Sequence, residues 1–467
     1  MLLQRKKVKA FMVFSKRHFS EAEHRVAFSN RELRALIVPL FIEQFLLALV
    51  GIVDTFVVSY AGEAEVSGVS LVNSFNTVFI FLSTALAIGG AVIINQYIGV
   101  GKKGLAGRSA SQLLTFSLVS SVIFSIVILI FNRPLLQGLF GRVEPDVMAA
   151  CVTYLRISAY SFPALAVYNA GAALCRSIGK AGITMIISAA ANVVNIVGDA
   201  IGVFYFHAGV AGVAYPSLLS RVIMAVAVTA YCAGRRREIR YTGRDVWTWD
   251  GALLKKILGV AVPNGIENGV HQLVKVALSS MVALFGTYQI AANGVAQSIW
   301  SLAALMGLAM APVYTTVIGQ CMGARDIEAA NFYFVKLTRI GFVLSVGWNA
   351  LIFALTPAFL KIYSISQETA ALVVVLVLIN NIFNGLAYPF AGPLGNGLRA
   401  AGDIRFTMVV SVTLTVAARL FFSWFFGIWL NLGVVGIAWG MSIDLVIRGA
   451  IFIARFKSQK WTRFRLI

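Results

Sequence analysis

Pro39-Leu40-Phe41-Ile42-Glu43 opens an apolar stretch, and Pro263-Asn264-Gly265-Ile266-Glu267 opens another with the proline and glutamate 224 residues later. At the same offset Gly62 recurs as Gly286, Gln96 as Gln320 and Gly99 as Gly323. Further on, Arg176, Gly179, Thr184 and Met185 recur as Arg399, Gly402, Thr407 and Met408, offset by 223. A single pair could be chance. Nine pairs in nearly one register mean two copies of one unit of about 220 residues. Both copies are strongly apolar, the pattern of a transporter built from two equivalent halves.

The chain has 467 residues, of which 59% are hydrophobic and 12% charged. A soluble protein of this size needs far more surface charge. Apolar runs of membrane length recur along the chain, so the expected class is an all-α polytopic membrane protein. The alternating ten-residue segments of a membrane β-barrel are absent. Twelve spans are expected, at 35–60, 70–98, 111–131, 147–174, 181–206, 208–232, 253–284, 290–320, 335–357, 368–396, 405–430 and 432–455. Six spans per half is even, so the halves share one orientation as parallel repeats.

The net charge of +20 does not indicate nucleic acid, because of where it lies. With the N-terminus cytoplasmic, the cytoplasmic segments hold 31 of the 39 Lys and Arg residues, whereas the opposite loops hold only Arg133, Arg142 and Lys361. This asymmetry predicts both termini inside, in a multi-pass protein of the cell (plasma or inner) membrane. The basic tails are expected to touch anionic lipid headgroups. The organisation is then a basic cytoplasmic segment 1–34, an N-lobe 35–232, a cytoplasmic linker 233–256, a C-lobe 257–455 and a basic tail 456–467. The linker carries the run Arg235-Arg236-Arg237, and its Trp247 and Trp249 suit a membrane interface. Segment 1–34 reads as an interfacial helix or a poorly ordered arm. Its longest apolar stretch, Ala10–Phe14, is too short for a signal-peptide core, so no cleavage is expected. Cys151, Cys175, Cys232 and Cys321 are scattered without metal-ligand spacing and read as buried thiols. No stretch remains for a soluble catalytic domain.

Charge inside hydrocarbon costs about 2.5–3.5 kcal/mol per residue on insertion scales, so ionisable residues within the spans mark function. Asp54 lies in span 1. Asn192, Asn195 and Asp199 lie in span 5 at spacings that place them on one helix face. An amide oxygen beside carboxylates makes either a hard-oxygen Na⁺ site at Asp54, Asn195 and Asp199 or a protonatable centre. The bland reading of the asparagines is interhelical hydrogen bonding. The repeat weighs against a purely structural role for the set. At its offset, Asp54 falls on Leu278, Asn195 on Ala418, Asp199 on Phe422 and Ser217 on Met441. The polar set therefore belongs to the first half alone, and one coupling site is expected there.

Glu43 and Glu267 are duplicated, so a shared structural or gating role competes with substrate contact. His271 and Lys275 follow Glu267 at four-residue steps and line one face, expected to border the central cavity. His271 has no partner cluster that would make it a metal ligand. Asp444 and Arg448 are spaced for an internal ion pair. Pro216, Pro312, Pro389 and Pro393 are bend points, and Ala387–Gly395 is the most breakable stretch.

This pattern resembles the MATE family, the multidrug and toxic compound extrusion transporters, over about residues 35–455. The resemblance is carried by Pro39 with Asp54-Thr55, by the Gln96…Gly99 and Gln320…Gly323 span ends, by Asn195…Asp199, and by Gly209-Val210-Ala211-Gly212 with its twin Gly433-Val434-Val435-Gly436. It implies a V-shaped twelve-helix fold with a cation site at Asp54, Asn195, Asp199 and Ser217. Two positions depart from the family: Ala200 replaces the proline that often follows the span-5 aspartate, and span 7 carries His271, Gln272 and Lys275 near where an acidic residue often stands.

The expected function is cation-coupled (H⁺ or Na⁺) antiport that exports organic, cationic or amphipathic compounds by alternating access. No cofactor is expected beyond the coupling ion. The expected partners are a small organic substrate and membrane lipid, not nucleic acid, and the expected state is a monomer. A flippase for lipid-linked precursors is the alternative transporter reading. Intramembrane enzymes such as prenyltransferases need clustered carboxylates for Mg²⁺, and Asp199 has no acidic neighbour within two turns of its helix.

Overall fold

The computed structural model describes residues 26–141, 144–234, 238–361, 363 and 365–467. Residues 1–25, Arg142 and the arginine run 235–237 lie outside the described residues. The N-lobe comprises α1 (Asn30–Ser59), α2 (Glu63–Gly99), α3 (Lys103–Phe140), α4 (Pro145–Ser177), α5 (Ala181–Tyr205) and α6 (Ala211–Ala233). The C-lobe comprises α7 (Gly251–Val282), α8 (Thr287–Gly323), α9 (Ile327–Leu360), α10 (Gln367–Leu386, Tyr388–Ala391 and Pro393–Ala400), α11 (Ile404–Trp429) and α12 (Gly433–Lys457). Eleven of these are long and apolar enough to cross a membrane. The twelfth, α7, has 32 residues but carries Asn264, Glu267, Asn268, His271, Gln272 and Lys275 along its middle. Its register with α1 marks it as a span, and two of these residues, Glu267 and His271, meet side chains of other helices.

Local chemistry sets the boundaries. Helix α1 opens on a capping box: Ser29 Oγ accepts from the Glu32 amide at 3.2 Å, and Glu32 Oε2 accepts from the Ser29 amide at 2.8 Å. Asp326 caps α9 and Ser366 caps α10 in the same manner. Left-handed backbone recurs in step with the sequence repeat, at Gly62 and Gly286, Gly101 and Arg325, Gly179 and Gly402, His207 and Asn431, and Gly209 and Gly433. The duplication is therefore one of backbone path. Helix α5 continues straight through Asp199 and Ala200, then widens into a π-helical turn at Ile201–Tyr205. Its twin α11 carries two such turns, Leu414–Arg419 and Phe425–Trp429.

Three apolar cores define the shape. One runs through both lobes at the end that bears the described termini and the linker, and joins Leu36, Ile94 and Leu174 to Ile257, Val317 and Phe334. At the opposite end the N-lobe has a core of its own around Val72, Phe79 and Phe162, and the C-lobe another around Leu278, Ile299 and Leu376. The molecule is a V, closed at its basic end.

Closure is made by the duplicated glutamines and glycines. A Cβ on Gly99 would lie 2.0 Å from the Gln320 carbonyl oxygen, and one on Gly323 2.1 Å from that of Gln96. Helices α2 and α8 thus cross with each glycine against the other's backbone, which only a residue without a side chain permits. Gln96 Nε2 donates across the lobes to the Ala400 carbonyl at 2.9 Å, and Gln320 Nε2 donates to that of Ser177 at 2.8 Å. Ser177 and Ala400 are themselves repeat equivalents.

Two basic segments are anchored more firmly than a lipid-facing role requires. Trp461 is fully buried against Phe334 and Phe456, which pins the start of the tail. The linker docks on α3, where Gln112 Nε2 donates to the Asp245 carbonyl at 2.8 Å and Gln112 Oε1 accepts from the Asp250 amide at 2.9 Å. Trp247 and Trp249 stay exposed beside it. Helix α10 breaks at Ala387 and Gly392, where the paired prolines predict a break.

Gly99→Val should force α2 and α8 apart and open the basic end. With Cys151, Cys175 and Cys232 replaced, maleimide labelling of the buried Cys321 should rise several-fold over the parent; an unchanged rate would contradict this account of closure.

Candidate functional site

The N-lobe polar set converges between α1, α5 and α6. Asp199 is wholly buried on α5. Asn195, one turn earlier, donates from Nδ2 to Asp199 Oδ2 at 3.0 Å and reaches Ser217 Oγ on α6 at 3.5 Å. Asp54 on α1 stands beside Asp199. Among the described residues no donor reaches Asp54 Oδ1 or Asp199 Oδ1, although both atoms are buried. Asn192 shares this face of α5, its Nδ2 also buried without a partner.

Arg221, one turn beyond Ser217 on α6, completes the centre. It lies close enough to Asp54 for direct electrostatic attraction, and its Nη1 donates to Ser161 Oγ on α4 at 2.6 Å. Tyr154 on α4 lies within the same field and donates to Asn73 Oδ1 at 3.2 Å. The acidic and amide residues of the spans do not by themselves point to Arg221. The four-residue step from Ser217 would have found it, since it places both on one face. The formal charge of Asp54, Asp199 and Arg221 together is minus one.

Glu43 and Glu267 sit elsewhere, each paired inside its own lobe. Glu43 Oε1 accepts from Arg176 Nη2 at 2.7 Å and from Tyr168 at 3.0 Å, and Glu43 Oε2 accepts from Thr184 Oγ1 at 3.0 Å. Glu267 Oε2 accepts from Arg399 Nη2 at 2.6 Å. Each pair ties the first helix of its lobe to the fourth, and neither crosses between lobes. A duplicated acid with a duplicated base, 133 residues apart in one lobe and 132 in the other, was the available signal.

The face of α7 is therefore divided. Glu267 belongs to Arg399, whereas His271 Nε2 lies 3.3 Å from Arg419 Nη1 on α11. Lys275 is exposed at the next turn. Arg419 and Arg448 both bind the wholly buried Asp444 of α12. The i,i+4 pair of Asp444 and Arg448 thus forms as its spacing implies, with Arg419 as a second cation. Among the described residues no group of three His, Cys, Asp or Glu side chains could hold a metal ion. Any Na⁺ at the N-lobe centre would use Asp54, Asp199 and the neutral oxygens of Asn195 and Ser217. The orphaned carboxylate oxygens fit such an ion.

Two six-helix lobes in parallel repeat, with buried ionisable centres in each, define a multi-pass membrane transporter. A family model described as MatE matches residues 39–201 and again 263–425, so the chain belongs to the MatE family. "Uncharacterized transporter YisQ" of Bacillus subtilis is 26% identical over 95% of this chain and 97% of its own length. "Probable multidrug resistance protein NorM" of Thermotoga maritima is 25% identical over 93% of each. A structure titled "Outward-facing conformation of a multidrug resistance MATE family transporter of the MOP superfamily" superposes with a TM-score of 0.85 at 22% identity, over 95% of this chain and all of that one. This is a family of multidrug efflux transporters, not enzymes, and the flippase alternative is not favoured.

Removing one partner of a buried ion pair leaves the other charge stranded, at about 3–5 kcal/mol. Arg176 keeps about a quarter of its side chain exposed, so Glu43→Ala should cost about 3 kcal/mol, the low end of that range. Thermal unfolding of the purified protein in detergent checks this, and a change within error would mean the pair contributes nothing to stability.

Proposed function

We propose that the chain is a cation-coupled antiporter that exports organic, cationic or amphipathic compounds, with Asp54, Asn195, Asp199 and Ser217 as its coupling site. One observation carries the reading: two carboxylates lie side by side with an orphaned oxygen on each. Two such groups repel unless a proton or a cation lies between them. Arg221 offsets one of the two charges, so a single H⁺ or Na⁺ brings the centre to neutrality. The four oxygen-bearing side chains serve either ion.

Alternating access follows from mutual exclusion. Binding of the cation draws α1 toward α5, and binding of substrate in the cleft favours the other arrangement of the same helices. The ligands can shift the equilibrium only by their differential affinities for the two states. The asymmetric distribution of Lys and Arg supports placing the closed basic end and both termini in the cytoplasm, with the cleft open outward across the plasma or inner membrane. The exposed Trp247 and Trp249 support contact with lipid at the linker. A complete pair of lobes in one chain supports function as a monomer.

Proteoliposomes under an imposed Na⁺ gradient, and separately a pH gradient, should show dye efflux driven by one of them. Asp199→Asn should lower gradient-driven efflux at least about a hundredfold while unfolding at a similar temperature. Full coupled transport by this variant would remove Asp199 from the mechanism.

A further inference from the structure

The centre of the C-lobe is assembled from the repeat equivalents of the helices that build the N-lobe centre: α7, α11 and α12 in place of α1, α5 and α6. Its polarity is reversed. Asp444 Oδ2 accepts from Arg419 Nε at 2.9 Å and Nη2 at 2.5 Å. Arg448 Nη2 reaches Asp444 Oδ1 at 2.9 Å and Oδ2 at 2.8 Å, and also Thr415 Oγ1 at 2.7 Å. One carboxylate serves two guanidinium groups, and the remainder is plus one. His271 does not offset it. A guanidinium only donates, so the imidazole nitrogen facing Arg419 acts as an acceptor there. Lys275 adds a further positive charge one turn along α7. Glu267 is held by Arg399.

An uncompensated charge at this depth is costly, by several kcal/mol per ion even after relaxation. The centre also has unused donors. Arg448 is more than nine-tenths buried, and among the described residues its Nε has no hydrogen-bond partner. Thr415 Oγ1 accepts from Arg448, which leaves its own O–H to donate. Tyr388, carried by the break in α10, stands near Arg448, with its ring against Gly307 and Gly392. Half-buried His271 and exposed Lys275 lie on the helix that packs against α2 of the other lobe.

We propose that this C-lobe centre, Arg419, Arg448 and Thr415 beside Asp444, binds a monoanionic group: the carboxylate of an exported organic compound. Guanidinium forks match a planar carboxylate with paired donors. Exposed Lys275, one turn beyond His271 on α7, adds attraction for the anion. A compound that bears both a carboxylate and an ammonium would match the polarity of the two lobes. The site is a binding property, and it stands whether or not the N-lobe carboxylates couple transport.

The test uses the full-length chain, purified in detergent at constant sodium in sulfate buffer, titrated calorimetrically with sodium benzoate and, separately, with sodium chloride. Saturable benzoate binding is expected. Arg448→Gln leaves a neutral Arg419–Asp444 pair and should weaken it about tenfold or more. Asp444→Asn removes the competing carboxylate and should tighten it. Lys275→Gln, at an exposed position that folding tolerates, should weaken it about threefold. No saturable binding of either salt would overturn the site, as would Arg448→Gln and Asp444→Asn shifting affinity in the same direction. Binding of chloride without benzoate would overturn the carboxylate assignment and make the centre an inorganic-anion site.

Discussion

The crossing of α2 and α8 governs everything else in the molecule. Lipid supplies no hydrophobic drive between helices, so the lobes are held by close packing and hydrogen bonds. Gly99 against the Gln320 carbonyl and Gly323 against the Gln96 carbonyl bring two backbones into contact. The cross-lobe bonds of Gln96 to Ala400 and Gln320 to Ser177 are related by the repeat. Each nets about 0.5–1.5 kcal/mol. They add to the apolar core that runs through both lobes at that end.

Duplication left the scaffold alike and made the centres unlike. The chain path, the left-handed turns and the Glu–Arg pairs recur in both lobes. The three-helix centres do not: acids outnumber bases by one in the N-lobe, and bases outnumber acids by one in the C-lobe. Structural roles are shared between copies because both halves need the same backbone. A chemical role need be performed only once, so each copy is free to diverge at its centre.

The sequence made the scaffold legible because backbone constraints are local. Gly99 and Gly323 are readable as a duplicated pair without knowing what they touch, and the paired prolines of α10 announce its break. The acidic half of the N-lobe centre was readable too, since Asp54 and Asp199 are rare residue types within spans and Asn195 stands at helical spacing from Asp199. What stayed hidden depends on which helices are neighbours. Glu267, His271 and Lys275 share one face of α7, yet α10 claims the first and α11 the second. No spacing within α7 reports that division. Arg221 and Arg419 were visible as buried bases, but their partners lie on other helices, 25 residues away in the case of Arg419 and Asp444. Trp461 reads as part of a basic tail and proves to be an anchor, because the hollow formed by Phe334 and Phe456 exists only in three dimensions.

The helices that bear the two centres are also the ones that cross the lobe boundary. Helix α1 carries Asp54 at one end and packs against α8; helix α7 carries His271 and packs against α2. A change of charge at either centre therefore acts on a helix already in contact with the opposite lobe. In the proposed mechanism a cation that neutralises Asp54 and Asp199 removes a repulsion acting on α1, the helix that also contacts α8. The same holds for α7 when charge is balanced beside Arg419. Carrying the equilibrium from 1:99 to 99:1 takes about 5.5 kcal/mol of differential affinity. That exceeds what either cross-lobe glutamine bond contributes alone and is of the order supplied by filling one buried charged site. Both centres are thus built on helices that also form the closed end, α1 through its contact with α8 and α7 through its contact with α2.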